Sequence, residues 1–168
     1  FKSATFTAFG MTKRAGRSVA NDPGFQAILQ SPADAVCLVA KAWDYHVRVA
    51  LEISNAENIA GVHESVAAVR AAGKMSMIDC EHFFDGYKGN PEPALAVART
   101  AFETDARWVV LCDTNGGTLP DEIERTVREV TAHIPGGRLG IHCHDDTGNA
   151  VANLLSGDCL AMHPAAYW

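Results

Sequence analysis

The 168-residue sequence contains no Cys-x-x-Cys pair. Its five cysteines, Cys37, Cys80, Cys112, Cys143 and Cys159, are dispersed and odd in number. That pattern argues against a disulfide framework, a zinc ribbon and a dithiol redox motif. Four of the five lie in or beside apolar runs, where cysteine acts as a small buried hydrophobe. A reducing, cytoplasmic compartment is therefore expected. No apolar run approaches the ~20 residues of a membrane span. No signal-peptide or transit-peptide pattern is visible. Basic residues are in the minority: Lys+Arg is 14 against 20 Asp+Glu, for a net charge of −6. No general attraction to nucleic acid or to an anionic membrane follows from that balance. What remains is an ordinary globular composition, 48% hydrophobic and 20% charged.

Five short apolar segments recur along the chain. They are 4–9 (ATFTAF), 35–40 (AVCLVA), 75–80 (MSMIDC), 108–112 (WVVLC) and 139–142 (LGIH). Most are continuous rather than alternating, as expected of strands buried on both faces of a parallel sheet. Helix-like stretches fill the gaps at 22–30, 44–53, 58–72, 91–104 and 119–133, and a last one begins near Thr147. Ile59, Val62, Val66 and Val69 form one stripe. Pro91 and Pro120 sit at first turns, and Asp121 and Glu122 suit a helix start. Strand–helix units of roughly 30 residues imply right-handed crossovers. A doubly wound sheet and a (β/α)8 barrel both fit. No Gly-x-Gly-x-x-Gly or P-loop follows the first strand, which favours the barrel. The expected fold class is α/β, a partial (β/α)8 TIM barrel of about five units. The opening Phe1, inside a strand-like run, suggests an internal piece of a longer protein.

In such barrels the chemistry sits at the C-terminal strand ends. Here those ends carry Lys13, Arg14 and Arg17; Lys41, Trp43 and Asp44; Asp79, Glu81, His82 and Asp85; Asp113, Thr114 and Asn115; and His142, His144, Asp145 and Asp146. His142 and His144 stand at i and i+2, so on a strand both imidazoles face one side and can share an ion. Such donors suit Mn²⁺, Fe²⁺, Co²⁺ or Zn²⁺. The plainer alternative is hydrogen bonding inside a barrel core. Glu81 is a candidate general base, or a partner of Lys13, Arg14 or Lys88. Thr114, in a Gly-rich turn, suits a small carboxylate, or simply completes a strand-to-helix turn with Asp113. Lys41 and Asp79 are weaker candidates, better suited to ion pairing. His46 and His63 fall in helices and read as structural.

LCDTNGGTLPDEI (111–123) and GIHCHDDTGNAVAN (140–153) closely resemble segments of the metal-dependent acyl-CoA/keto-acid condensing enzymes. That barrel superfamily includes 2-isopropylmalate synthase, homocitrate synthase, citramalate synthase and hydroxymethylglutaryl-CoA lyase. FGMTKRAG (9–16), AKAWDYHV (40–47) and DCEHFFDGYKGNPEPAL (79–95) resemble the citramalate synthase branch. The resemblance implies that the five strands are the third to seventh of the barrel. It implies a divalent metal (Mn, Mg, Co or Zn) on His142 and His144, acid–base chemistry at Glu81, and substrate contacts at Thr114 and Asp79. The implied reaction is a Claisen-type condensation of acetyl-CoA, the co-substrate, with a 2-oxo acid. Pyruvate, giving citramalate for isoleucine synthesis, fits best. Alternatives are 2-isopropylmalate or homocitrate synthesis, or C–C cleavage of the lyase type. A barrel hydrolase is a more distant alternative, because its His-x-His usually lies on the first strand. The parent is expected to be a homodimer acting on small molecules, without nucleic-acid or membrane partners.

The family's Arg-Asp-Gly motif, which supplies an arginine and a metal-binding aspartate, does not occur in this sequence. The asparagine ligand of its Glu-Arg loop is missing too. The isolated chain is therefore expected to be inactive. Residues 1–154 read as a partial catalytic domain. Residues 155–168 read as an atypical tail, from truncation or a changed reading frame.

Overall fold

The computed structural model describes residues 3–158. Five strands form one parallel sheet: β1 (Thr7–Met11), β2 (Ala35–Lys41), β3 (Met75–Glu81), β4 (Trp108–Asp113) and β5 (Leu139–Cys143). They lie in sequence order, β1-β2-β3-β4-β5. That order decides between the two architectures. A doubly wound sheet reverses its strand order at a switch point, whereas a barrel wall adds each strand beside the last. The chain is an arc of a (β/α)8 barrel.

The two sheet faces have different coverings. Val36, Leu38, Ala40, Ile78, Cys80, Val109, Leu111, Leu139 and Ile141 pack into one large core with the helices. Alternate residues turn the other way. Ala35, Cys37, Met77, Trp108, Val110 and Cys112 form a second cluster with no helical member. This is the inner face of the barrel wall. An open cavity of about 350 Å³ lies over it, lined by Thr7, Phe9, Cys37, Met77, Asp79 and His142.

The helices form for local reasons. Asp22 caps α1 (Pro23–Leu29), accepting from the N–H groups of Gly24 and Phe25. A short helix, α2 (Asp44–His46), widens into a π turn at Val47–Leu51, so the helix expected over 44–53 is shorter and irregular. The turn closes on the carbonyl of buried Val47, and Glu52 ends it in the left-handed region, at φ 56°. Ser54 Oγ accepts from Glu57 N at 3.1 Å and caps α3 (Asn55–Ala71). Val62, Val66 and Val69, members of the expected stripe, are fully buried.

A further helix, α4 (Phe83–Gly89), occupies what reads as a loop in the sequence. Two glycines in seven residues are poor helix formers. Tertiary packing overrides that. Phe83 and Phe84 are fully buried, each burial contributing roughly 1.5–3 kcal/mol. Gly86 lets the helix lie on the end of β2: a Cβ there would stand 2.5 Å from the Ala42 carbonyl oxygen. Helices α5 (Pro91–Glu103), α6 (Pro120–Thr131) and α7 (Ala150–Asp158) complete the outer layer. The first turn of α6 is secured by Glu122 Oε2, which accepts from Leu119 N at 2.9 Å. Among the described residues no helix is long and apolar enough to cross a membrane. The proposed division at residue 154 falls within α7, and residues 159–168 lie outside the described ones.

A candidate metal site at the barrel mouth

Register assembles the site. Val39 pairs with Asp79, and Asp79 with Val110. One step further along, Lys41 pairs with Glu81 and Cys112 with His142. Paired residues in neighbouring parallel strands share a face. Asp79, Glu81, Lys41, Cys112 and His142 therefore all belong to the inner face near its C-terminal mouth.

The His142 and His144 rings stack at 4.9 Å, tilted by 28°. They share a side, as the i, i+2 spacing requires. His144 lies just beyond β5, and its N–H donates to the Asp113 carbonyl at 3.2 Å, holding its backbone against β4. His142 is half-buried and His144 exposed. Behind His142 stands Asp79, 5% exposed, with Oδ2 3.8 Å from His142 Nδ1. The other Asp79 oxygen accepts from the Cys37 thiol at 3.3 Å.

Asp79, Cys112 and His142 place one ligand-type atom each within 4.8 Å of one another. Cys112 was legible in the sequence only as a buried apolar residue. Burial, followed by the Asp79 charge, pushes the pKa of its thiol well up. Cys37 is pushed up for the same reasons in the same order. The two imidazoles are the donors that open toward the mouth. Two imidazole nitrogens with a buried carboxylate behind one of them suit a divalent ion.

Glu81 Oε2 is bound by Lys41 Nζ, and both side chains are largely shielded. The partner is thus neither Lys13, Arg14 nor Lys88. Lys13 instead bonds the Arg17 carbonyl and pairs with Glu64 at 3.3 Å, and Lys88 pairs with Glu122. Lys41 has the ion-pairing role expected of it, and it reaches Glu81 across the β2–β3 register.

Thr114 and Asp113 part company. Asp113 is fully buried and accepts from Thr118 N and Thr118 Oγ1, the latter at 2.7 Å. Asn153 Nδ2 of α7 also reaches it, at 3.4 Å. Its work is to close the Gly-rich turn and moor α7. Thr114 is half-buried, and its Oγ1 accepts from His82 N at 2.8 Å. Gly116 keeps the turn close to the β5 loop: it has φ +62°, and an added Cβ would meet Asp146 Oδ2 at 2.5 Å.

His46 is not remote from the site. Its ring meets the His82 ring edge-on at 4.5 Å and lies 4.7 Å from Trp43. Burial, then the neighbouring His82 and Lys41, hold its pKa below 6.5. His63 is on α3, bonded to Thr104 Oγ1 at 2.9 Å, on the outer layer.

A parallel sheet in sequence order, with paired imidazoles and carboxylates at its C-terminal mouth, defines a segment of an α/β barrel whose mouth holds a candidate metal site. The chain belongs to the HMGL-like family, whose profile matches residues 12–159. It is 51% identical over 164 residues to the (R)-citramalate synthase of Streptomyces coelicolor, covering 97% of this chain and 30% of that protein. It is 43% identical over 155 residues to the (R)-citramalate synthase of Aquifex aeolicus, covering 92% and 29%. The fold is also that of the HMG-CoA lyase of Bacillus subtilis, with a TM-score of 0.82, 19% identity, and coverage of 99% of this chain and 53% of that one. The chain thus spans about a third of the length of its curated relatives.

Proposed function

We propose that the full-length protein carrying this segment condenses acetyl-CoA with a 2-oxo acid, and that the acid is pyruvate. The supporting observation is the 51% identity to an (R)-citramalate synthase across nearly the whole segment. The placement of Glu81, Thr114 and the two histidines at one mouth agrees with it.

On this reading the segment's residues divide the work. His142 and His144 hold a divalent ion, which when bound supplies polarisation of the ketone oxygen as negative charge develops there. Thr114 donates its hydroxyl hydrogen to the carboxylate of the oxo acid, while His82 N donates to one lone pair of the same oxygen. Glu81 takes a proton from the methyl group of acetyl-CoA, with Lys41 fixing the direction of its carboxylate. The methyl carbon bonds to the ketone carbon, and the ketone oxygen takes up a proton, matching the one Glu81 removed, to end as a hydroxyl. Water then cleaves the thioester, leaving a carboxylate and free CoA thiol. Asp79 lies close enough to His142 to set which imidazole nitrogen faces outward.

The test follows CoA-thiol release by the full-length protein with Mn²⁺ or Mg²⁺. Pyruvate, 2-oxobutyrate, 2-oxoisovalerate and 2-oxoglutarate are offered separately. Release with pyruvate is expected. Preference for 2-oxoisovalerate would move the protein to isopropylmalate synthesis. Cleavage of hydroxymethylglutaryl-CoA without any condensation would make it a lyase.

A further inference from the structure

His82 occupies an unusual position. It is the residue between β3 and α4, and its backbone is left-handed, at φ 56° and ψ 35°. Non-glycine residues reach that region at a cost of roughly 1–2 kcal/mol, so something must hold it there. Three contacts do. Its Nδ1–H donates to Asp85 Oδ2 at 3.1 Å. Its ring packs edge-on against His46 at 4.5 Å. The Trp43 ring lies 5.8 Å away, tilted by 45°. Both members of the His82–Asp85 pair are largely shielded, 14% and 18% exposed.

The same Asp85 oxygen accepts from Asn115 Nδ2 at 3.0 Å. Asn115 follows Thr114 directly. The brace therefore joins the segments that follow three strands: that after β2 through Trp43 and His46 of α2, that after β3 through His82 and Asp85 of α4, and that after β4 through Thr114 and Asn115. The left-handed turn aims one group at the site, the His82 N–H, which donates to Thr114 Oγ1 at 2.8 Å. Among the described residues no acceptor takes the Thr114 hydroxyl hydrogen. With one lone pair engaged, the hydroxyl keeps its hydrogen, which is the part a carboxylate across the mouth can accept.

We propose that His82, held left-handed by Asp85 and the Trp43–His46 rings, is a positioning residue that orients the Thr114 hydroxyl toward the carboxylate of the 2-oxo acid. It touches no reacting atom and acts through Thr114. The inference rests on the condensation reading, in which Thr114 binds that carboxylate.

The experiment is a double-mutant cycle in the full-length protein, reading KM for pyruvate, KM for acetyl-CoA and kcat, with melting temperatures alongside. His82→Ala and Asp85→Ala each remove the clamp. Each is expected to raise the pyruvate KM about five- to tenfold, the effect of one misaligned hydrogen bond, with the acetyl-CoA KM unchanged. His82→Asn, which tolerates the left-handed region, is expected to recover most of the loss. In the double variant His82→Ala/Thr114→Val, the pyruvate KM should equal that of Thr114→Val alone, because His82 has nothing left to orient. Additive effects, or a wild-type pyruvate KM in His82→Ala, would overturn the proposal. Should His82→Ala fail to fold, Asp85→Ala carries the same cycle. Two other outcomes point elsewhere: Thr114→Val with an unchanged pyruvate KM, or a wild-type protein that releases no CoA. Either one removes the carboxylate or condensation reading itself, and the role of His82 falls with it.

Discussion

Asp79 of β3 stands directly behind His142 of β5, across β4 on the same barrel face, with Oδ2 3.8 Å from Nδ1. A buried carboxylate facing one imidazole nitrogen favours a proton there and leaves the other nitrogen's lone pair for a metal. Asp79→Asn keeps the volume and the contact to Cys37 while removing the charge. A fall in Mn²⁺ affinity of roughly tenfold or more is expected, measured by calorimetric titration of the full-length protein. Unchanged affinity with a raised pyruvate KM would make Asp79 a substrate contact instead.

The Lys41–Glu81 pair leads to a second prediction. If Glu81 moves the proton of the acetyl methyl, Glu81→Gln should lower kcat by about 10²–10⁴ with Mn²⁺ affinity intact. Lys41→Met should cost less, because it releases the carboxylate without removing it. Equal losses in both variants, or loss of metal binding in Glu81→Gln, would assign the pair a structural role.

The fold was legible because each apolar run is short, continuous and followed by helical periodicity. Four of the five strands begin where their runs begin, and each of those ends one residue later. The first strand lies further along than its run, at Thr7–Met11. Its inner-face residues, Thr7 and Phe9, line the open cavity, so burial marks it weakly. Helix α4 was hidden because its two glycines speak against a helix, and only packing of Phe83 and Phe84 reveals it. In the site, His142 and His144 could be paired from spacing alone. The Lys41 partner of Glu81 could not, because it depends on β2–β3 register. Nor could the His82–Thr114 bond, because it depends on a left-handed residue that the sequence does not mark.

Gly116 offers a stability test of the loop that carries Thr114. Its φ of +62° disfavours any side chain, and an added Cβ would lie 2.8 Å from the Asp146 backbone nitrogen as well as against its carboxylate. Gly116→Ala is expected to destabilise the full-length protein by about 1–3 kcal/mol, read as a lower unfolding midpoint in urea. Gly137→Ala is the control, since a Cβ there meets nothing within 4 Å. Trimming Asp146 to Ala should not restore Gly116→Ala, because the backbone contact and the φ both remain. Full rescue would show that only the side-chain clash matters.

His46 gives the site an acid-sensitive edge. Burial, His82 and Lys41 hold its pKa below 6.5, against the opposing pull of Glu81 and Asp85. Its folded form therefore binds a proton less readily than its unfolded form. The sign follows from linkage: above the unfolded value of 6.5 both states are neutral and this contribution to stability is complete. As pH falls below 6.5 the unfolded chain takes up its proton first, and stability declines until the folded pKa is passed. His46→Gln should remove that part of the acid sensitivity while leaving stability at pH 8 nearly unchanged. The measurement is a pair of urea midpoints against pH, from 8 down to 5, with the imidazole followed by proton NMR. Parallel curves for the wild type and His46→Gln, or a His46 resonance titrating above 6.5, would assign the acid sensitivity to other groups.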